Sequence, residues 1–279
     1  AWVCRVPRRV HTFTGLVWPT AKGLKRRVLM FTDWLTCFCA THVIPEGQGV
    51  KNDLSHITKK PMKVLGYGNV KGVDMHRFSL RPEVLQKAAP LKNKDVFTFI
   101  FVGRIVGDKG INELVEAYLR LLKEHSNLRL FLVGNYEMKL DPVSPQTMQC
   151  ISDTKEISAV GPKYADDLLA YYAASDCFVF PSYREGFPNT VMEAGAMGLP
   201  SIVTDINGSR EIIVENKNGK IIPSKDVDAL YRSMKFMVEN EDDRRRMAGN
   251  ARQMIASRFD QTFVRKCLMD FYNQISAED

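Results

Sequence analysis

The sequence predicts an α/β protein in which helices alternate with the strands of a parallel sheet. From residue 97 onward, short apolar runs alternate with amphipathic stretches, which is the pattern of βαβ units. The composition, 45% hydrophobic and 25% charged, is that of a globular chain and argues against disorder. A chain of 279 residues is long enough for two modest domains, each with its own core.

The first part of the chain is predicted to be a mixed unit that ends in a linker. Its predicted elements are a basic amphipathic helix (22–40), a strand (41–45), a short helix, a second strand (62–66) and a linker (79–94). The linker contains Pro82, Pro90 and several lysines. We therefore expect a first domain and linker over residues 1–92.

The second part of the chain is predicted to be a doubly wound domain over residues 93–260. Predicted strands and helices alternate along it: FTFIFVG, a helix over 109–125, LRLFLVG, a helix over 165–174, CFVFPS, PSIVTD and GKIIP. Three helices follow, over 226–239, 241–259 and 261–275. The last of them lies in a separate C-terminal segment, 261–279.

Charge and cysteine content limit the classes of function. The net charge of +7 suggests an anionic partner, but no basic stripe interleaved with stacking aromatics indicates nucleic-acid binding. The six cysteines show no CxxC pair and no zinc-site spacing, so we expect a reducing cytosol and no metal. The most apolar run, 28–44, is short for a membrane span and contains Asp33.

The stretch EGFPNTVMEAGAMGLP is the sharpest chemical signal. It places Glu185 and Glu193 after the strand CFVFPS, and Pro188 suits the first turn of a helix. Helical side chains tilt toward the N-terminus, so Glu193 is expected to point toward the loop that holds Glu185. An isolated pair of this kind is more often solvent-exposed, but here both carboxylates are predicted to face one crevice at the carboxyl end of a strand.

The start of the same predicted helix favours an anion. The amides of Asn189, Thr190 and Val191 and the helix dipole attract phosphate, whereas the two carboxylates would repel it. The carboxylates therefore suit neutral hydroxyl groups on either side of the phosphates. A nucleotide sugar satisfies both demands.

A second signal is FVGRIVGDKG, where Arg104 and Lys109 flank the turn after a strand. Arg can bind two phosphate oxygens in a fork and Lys adds a point charge, so the pair could neutralise a diphosphate without a metal. Alone, such a loop is more often a solvated helix start. Because both loops follow strands, they can converge on one crevice.

Together these motifs resemble a known family. GRIVGDKG, SAVGP, EGFPNTVMEA and TDINGSREII, in this order, are similar to the family 4 retaining glycosyltransferases of GT-B fold, particularly those of bacterial surface-polysaccharide synthesis. The resemblance covers about residues 95–260, and GVDMHRF looks like the end of the family's N-terminal domain. It implies two Rossmann-like domains with parallel sheets, the N-terminal one incomplete here by an estimated hundred or so residues.

The resemblance also implies roles for individual residues. Arg104 and Lys109 would hold the donor diphosphate, Glu185 would contact hydroxyls of the transferred sugar, and Glu193 would bind the ribose. The implied donor-binding set is completed by the loop against the base and by the helix start: Val160, Gly161, Pro162, Gly186, Phe187, Pro188, Asn189, Thr190 and Val191. The final helix would return to brace the N-terminal domain.

Two positions depart from the family's pattern, and one triplet resembles a metal-binding motif. Thr14 precedes Gly15 where relatives carry a histidine, and His11 lies on the predicted strand instead. Lys71 stands where an Asn often precedes the GVD triplet. The DVD triplet 226–228 resembles a metal-binding DxD, but it opens a predicted helix, where Asp is a preferred cap.

The function implied is transfer of a sugar from a nucleotide-sugar donor, a uridine donor by resemblance, to a glycan or lipid-linked glycan, without a cofactor. Two alternatives remain: a degenerate nucleotide-sugar-binding module, and a nucleotide-sugar epimerase or phosphorylase of similar architecture. The basic helix start at 22–27 could touch an anionic membrane at the inner face of the plasma membrane, although such a helix is more often a packed element.

Overall fold

The computed structural model describes residues 1–137, 139 and 141–277. The first part contains β1 (Val10–Phe13), α1 (Gly23–Cys39), β2 (His42–Pro45), α2 (Gln48–Leu54) and α3 (Pro82–Ala88). The second part contains β3 (Phe97–Val102), α4 (Ile111–Leu122), β4 (Leu128–Val133), α5 (Pro145–Asp153), β5 (Ile157–Ala159), α6 (Ala165–Ala173), β6 (Cys177–Phe180), α7 (Asn189–Ala196), β7 (Ser201–Thr204), α8 (Ser209–Ile212), β8 (Gly219–Ile222), α9 (Val227–Glu239), α10 (Glu241–Phe259) and α11 (Gln261–Ser276).

The larger sheet is a doubly wound parallel sheet with strand order β5-β4-β3-β6-β7-β8. The chain runs outward from β3 to β5 and then crosses to β6 on the other side, with Phe99 paired to Cys177. The resulting switch point lies between β3 and β6, where open α/β sheets bind ligands outside the carboxyl ends of their strands. The loops after these two strands hold the predicted diphosphate and carboxylate motifs.

Burial explains why the central strands are continuous apolar runs. Every residue of β6 and five of the six in β3 are buried, because helices cover both faces of a parallel sheet. Helix α4 presents Leu114, Tyr118 and Leu121 to this core, as its apolar periodicity predicts. The α/β prediction for the second part is confirmed.

The first part forms a smaller unit in which β1 and β2 pair in parallel. Two minor apolar clusters stabilise it, one around Phe13, Cys37 and Val43, the other around Ile44 and Leu65. The second cluster also contains Phe271 and Ile275 of α11, so the last helix packs against the first part of the chain. The domain limits assigned from the sequence stay a prediction.

Two local predictions for the first part are wrong. Residues 62–66 do not form a strand: Met62 makes a single bridge to Val43, and the chain turns at Gly66, whose φ is 55°. The expected linker over 79–94 contains α3, in which Pro82 occupies the first turn and Val84 is buried. The prolines predict a linker here, but proline also occurs in the first turn of helices, as in α3.

The apparent DxD triplet is a helix cap, as predicted. Asp226 accepts a hydrogen bond from the Ala229 amide at 2.8 Å at the start of α9, and Asp228 pairs with Arg120. In the described part of the chain, no helix is long and apolar enough to cross a membrane.

Candidate functional site

The loop after β3 positions Arg104 and Lys109 at the switch point. Gly110, with φ 71°, ends a 3-10 turn over 107–109 and separates it from α4, so Lys109 lies before the helix rather than inside it, as the predicted range 109–125 had it. A side chain at Gly110 would collide with the carbonyl of Pro181, which explains the need for glycine. The turn thereby brings the lysine against the loop that follows β6.

Lys109 and Glu185 form a largely buried ion pair, with side chains 14% and 16% exposed. The Ser182 hydroxyl also donates to Glu185 Oε1 at 2.7 Å, and the Lys109 ammonium lies 5.5 Å from the Phe180 ring centre. Arg104 is exposed and has no ion pair within the described residues. The structure therefore brings together the three residues predicted to act on the diphosphate and the sugar.

A cavity of about 210 Å³ lies between these side chains and the first part of the chain. Its lining comprises Thr14, Gly15, Leu16, Val17, Arg104, Asp108, Lys109, Arg184, Glu185 and Gly186. The two glycines pack backbone to backbone: a Cβ on Gly15 would lie 3.1 Å from Gly186 Cα, and a Cβ on Gly186 would overlap the Thr14 carbonyl oxygen. We name this the sugar cavity.

Glu193 does not share that cavity with Glu185, contrary to the expectation of a single crevice. It lines a separate cavity of about 280 Å³ with Asn189, Lys71, Arg77 and a group of further residues, namely Gly72, Val73, Asp74, Phe78, Lys163, Tyr164, Ala165, Leu168 and Gln261. The separation arises because Glu193 lies a turn into α7 and faces α6 and residues 71–78. We name this the nucleoside cavity.

Burial raises the pKa of Glu193, and the nearby charges of Lys71 and Arg77 oppose the shift. The hydroxyl of Tyr172 is buried beside Glu193 and interacts with its carboxylate. Burial, followed by the Glu193 charge, raises the pKa of Tyr172 well above its usual range. The buried carboxylate of Glu193 therefore lines the nucleoside cavity as an acceptor that a ligand hydroxyl can reach.

The remaining predicted residues surround the two cavities. Phe187, Pro188 and Val191 are buried, whereas Thr190 is half-buried at the start of α7. Val160, Gly161 and Pro162 follow β5, with the Gly161 carbonyl accepting from the Gly134 amide at 3.1 Å. These three line neither cavity but adjoin Lys163 and Tyr164, which line the nucleoside cavity.

His11 lies on β1, as predicted, and outside the sugar cavity. Its ring packs edge-on against Phe13 with 4.5 Å between ring centres. Thr14 and Gly15 line the sugar cavity in its place.

Sequence reasoning missed Arg184, which pairs with Asp108 at 3.3 Å on the wall of the sugar cavity. Its position next to Glu185 in the sequence was the available signal. It also missed Arg77, Lys163 and Tyr164, because nothing in the sequence places them beside Glu193.

Comparison with known proteins identifies the family. The model of the family "Glycosyl transferases group 1" matches residues 84–254, which is more than half of the chain. The chain belongs to this family. Its motifs are therefore those of a glycosyltransferase, and the prediction of a transferase enzyme is confirmed.

Two relatives of this group 1 chain are glycosyltransferases by their names, and one of the names refers to capsular polysaccharide biosynthesis. The capsular polysaccharide biosynthesis glycosyltransferase CapM of Staphylococcus aureus is 29% identical over 281 residues, covering 100% of this chain and 73% of CapM. The UDP-Gal:alpha-D-GlcNAc-diphosphoundecaprenol alpha-1,3-galactosyltransferase of Escherichia coli is 28% identical over 266 residues, covering 91% of this chain and 66% of that enzyme.

The fold is also that of solved structures, among them a glycosyltransferase from Rickettsia africae with a TM-score of 0.76 at 20% identity, covering 97% of this chain and 71% of that one. HepE of Anabaena, solved in complex with UDP and glucose, superposes with a TM-score of 0.82 at 18% identity, covering 95% of this chain and 71% of HepE. At this identity the likeness concerns the fold alone. It confirms the prediction of a GT-B type α/β architecture with parallel sheets.

Proposed function

We propose that this chain is a retaining, family 4 glycosyltransferase that moves a sugar from a uridine diphosphate sugar to a glycan or a lipid-linked glycan. The observation that carries the proposal is the sugar cavity, in which Arg104, Lys109 and Glu185 converge at the sheet's switch point. Arg104 and Lys109 beside Glu185 suit a diphosphate joined to a hydroxylated ring.

The donor lies across both cavities in this proposal. Its diphosphate contacts Arg104, Lys109 and the first amides of α7, which no intrahelical carbonyl satisfies. Glu193 accepts hydrogen bonds from the ribose hydroxyls in the nucleoside cavity, and the loop 160–162 lies against the base. Glu185 contacts hydroxyls of the transferred sugar.

Departure of the nucleoside diphosphate is the step that this charge arrangement assists. The bond between the anomeric carbon and the diphosphate oxygen breaks, and negative charge grows on the leaving group beside Arg104 and Lys109. The acceptor hydroxyl attacks the same face of the sugar and passes its proton to the leaving phosphate. The two cations perform the charge stabilisation that a metal ion supplies in other transferases, and no cofactor is required.

The relatives support the choice of donor and acceptor. One relative's name specifies UDP-galactose and a diphosphoundecaprenol acceptor, and the HepE structure contains UDP. Another relative is a GDP-mannose-dependent mannosyltransferase of Mycobacterium tuberculosis, so the base must be measured.

A peripheral contact of α1 with an anionic membrane completes the proposal and places the protein at the cytoplasmic face. Three large apolar side chains of α1 are strongly exposed, namely Leu24 at 77%, Phe31 at 58% and Phe38 at 53%. Lys25, Arg26 and Arg27 lie on the first turns of the same helix. Apolar and basic residues on one exposed helix suit the interface of an anionic bilayer.

Calorimetric titration with UDP, GDP and UDP-N-acetylglucosamine, with EDTA and then with Mg²⁺, tests the proposal. We expect UDP to bind as tightly with EDTA as with Mg²⁺, and we expect the same of the UDP-sugar. Binding that requires Mg²⁺ would contradict metal-free charge stabilisation. Absence of binding by all three would contradict the donor site, whereas binding without transfer would favour a degenerate nucleotide-sugar-binding module.

A further inference from the structure

Glu46 is a buried carboxyl group that the proposed reaction does not use. It follows β2 directly and is only 7% exposed. Burial raises the pKa of Glu46 to about 7, and a hydrogen bond from the Val70 amide opposes this shift. Within the described residues no cation pairs with it. Burying a carboxyl group without a cation lowers the stability of the fold. The presence of Glu46 at this position therefore needs an explanation.

Asn69 is the side chain that Glu46 holds. The side-chain NH₂ group of Asn69 donates to Glu46 Oε1 at 3.3 Å. The backbone amide of Asn69 donates to the backbone carbonyl of Glu46 at 2.6 Å. Asn69 Oδ1 accepts from the amides of Lys71 and Gly72 at 2.9 and 2.6 Å. Two backbone donors at Oδ1 fix the orientation of this carboxamide, so its NH₂ group must face Glu46 and the second part of the chain.

Asn189 receives the other bond from that NH₂ group. Asn69 Nδ2 donates to Asn189 Oδ1 at 3.3 Å, across the junction between the two parts of the chain. The orientation of Asn189 is thereby fixed as well, with its carbonyl oxygen toward Asn69. Its own NH₂ group has no protein acceptor among residues 1–137, 139 and 141–277. Asn189 begins α7 and lines the nucleoside cavity together with Glu193.

We propose that Glu46 and Asn69 are positioning residues that orient the Asn189 carboxamide so that its NH₂ group donates to a diphosphate oxygen of the bound nucleotide. The inference rests on the proposed function, because it assumes that a nucleoside diphosphate lies at the start of α7. A charged phosphate oxygen is a strong hydrogen-bond acceptor, and the opposite orientation of Asn189 would present a carbonyl oxygen to it. The first part of the chain thus contributes to donor recognition from a distance.

The test compares UDP with uridine, since only UDP has the diphosphate. We would measure both dissociation constants for the wild type, Glu46→Leu, Glu46→Gln and Asn189→Ala, and for each Glu46 variant combined with Asn189→Ala. Glu46→Gln keeps an oxygen for Asn69, whereas Glu46→Leu removes it. A hydrogen bond to a charged group corresponds to roughly a tenfold change in affinity or more.

We expect Glu46→Leu and Asn189→Ala each to weaken UDP binding roughly tenfold and to leave uridine binding within about twofold. Glu46→Gln should restore most of the UDP affinity, and Glu46→Leu should have no further effect once Asn189 is Ala. Unchanged UDP affinity in Glu46→Leu would overturn the inference. Losses of UDP affinity that add up in the double variant, or an equal loss of uridine affinity, would also overturn the inference. In either case Glu46 would act on the fold and not through Asn189.

Asn69→Ser provides the same test if Glu46→Leu does not fold. Its hydroxyl oxygen can accept from the backbone amides of Lys71 and Gly72, and the substitution removes the NH₂ group without adding a charge, so UDP affinity should fall and uridine affinity should not. Unchanged UDP affinity would again overturn the inference. A wild type that binds neither UDP nor GDP would instead overturn the proposed function, which separates the two failures.

Discussion

At the residue scale, the two glutamates of the EGFPNTVMEA motif lie in different environments, so their substitution should have different effects on binding and turnover. Glu193→Ala should weaken UDP binding roughly tenfold, because a carboxylate that binds ribose hydroxyls is lost from the nucleoside cavity. Glu185→Ala should lower kcat roughly a hundredfold with a smaller change in UDP affinity, because its contact is with the transferred sugar. UDP calorimetry and steady-state transfer assays separate these effects, and equal effects of both variants would contradict the assignment.

A second residue-scale prediction concerns Glu46 and pH. Its pKa is about 7 in the folded protein, against an ordinary glutamate pKa of 4.5 in the unfolded chain, so the folded state binds the extra proton between these values. Stability associated with Glu46 is therefore complete below pH 4.5 and is lost as the pH rises through 7. The whole loss amounts to about 3 kcal/mol as an upper limit.

Urea unfolding of the wild type and of Glu46→Gln from about pH 5 to 8 measures this effect. The wild type should lose stability relative to the variant as the pH rises, and the loss should be largely complete by about pH 8. Parallel stability curves would show that Glu46 ionises at its ordinary pKa. Glu116→Gln, on the exposed face of α4, is the matched control and should parallel the wild type.

Individual contacts were predictable from the sequence only where neighbours along the chain determine them. Arg104, Lys109 and Glu185 were found because they follow strands β3 and β6, whose carboxyl ends must meet. The hydrogen bonds from Asn69 to Glu46 and to Asn189 join positions 23 and 120 residues apart. No local pattern marks such a contact, because it depends on how the two parts of the chain pack.

At the element scale, the close approach of the Thr14–Gly15 loop to the Glu185–Gly186 loop forms the sugar cavity. Gly186→Ala would place a methyl group on the Thr14 carbonyl oxygen, so one loop must move away. We expect a loss of about 2 kcal/mol in unfolding free energy and a fall in transfer activity, measured by thermal unfolding and by assay. Gly249→Ala is the control: it has open space around it within α10 and should be neutral or slightly stabilising.

Helix α1 gives a second element-scale prediction. If its exposed apolar face enters a bilayer interface, the protein should sediment with vesicles of anionic lipid at low salt and less so at high salt. Phe31→Ser combined with Leu24→Ser should abolish this binding without lowering the melting temperature, since both side chains are exposed. Failure to sediment with anionic vesicles, or equal sedimentation with neutral vesicles, would contradict the membrane contact.

Periodicity predicted long elements well and short ones poorly. Helices α1, α4, α9, α10 and α11 were expected within a few residues of their observed limits, because each has an apolar stripe of several turns. Helix α3 has only seven residues and begins at a proline, and residues 62–66 make one bridge instead of a strand. Such short segments take their structure from the surfaces on which they pack.

At the scale of the whole molecule, a few junctions join the two parts. Val73 exchanges backbone hydrogen bonds with Phe259 and Gln261 at 2.8 and 2.9 Å, at the boundary between α10 and α11. On the other side, the Glu211 carboxylate accepts from the amides of Gln48 and Gly49 at the start of α2. The proposed donor site lies between these junctions, so the relative placement of the two parts determines its shape.

The anchoring of the first part by α11 leads to the last prediction. Phe271 is 5% exposed and packs with Ile44, Leu65 and Ile275. Two paired strands with small apolar clusters are marginally stable alone, so this contact should supply much of the first part's stability. Phe271→Ala should cost about 3 to 5 kcal/mol there and leave the six-stranded sheet folded.

Calorimetry of Phe271→Ala should therefore show an early transition separated from the main one, whereas the wild type should show a single transition. Hydrogen exchange should show β2 losing protection while β3 and β6 keep theirs, because the large core does not include Phe271. Met269→Ala, 57% exposed on the same helix, should change neither profile. A single transition lowered as a whole would mean that the two parts unfold as one unit, and UDP binding should then be lost in the same step rather than before it.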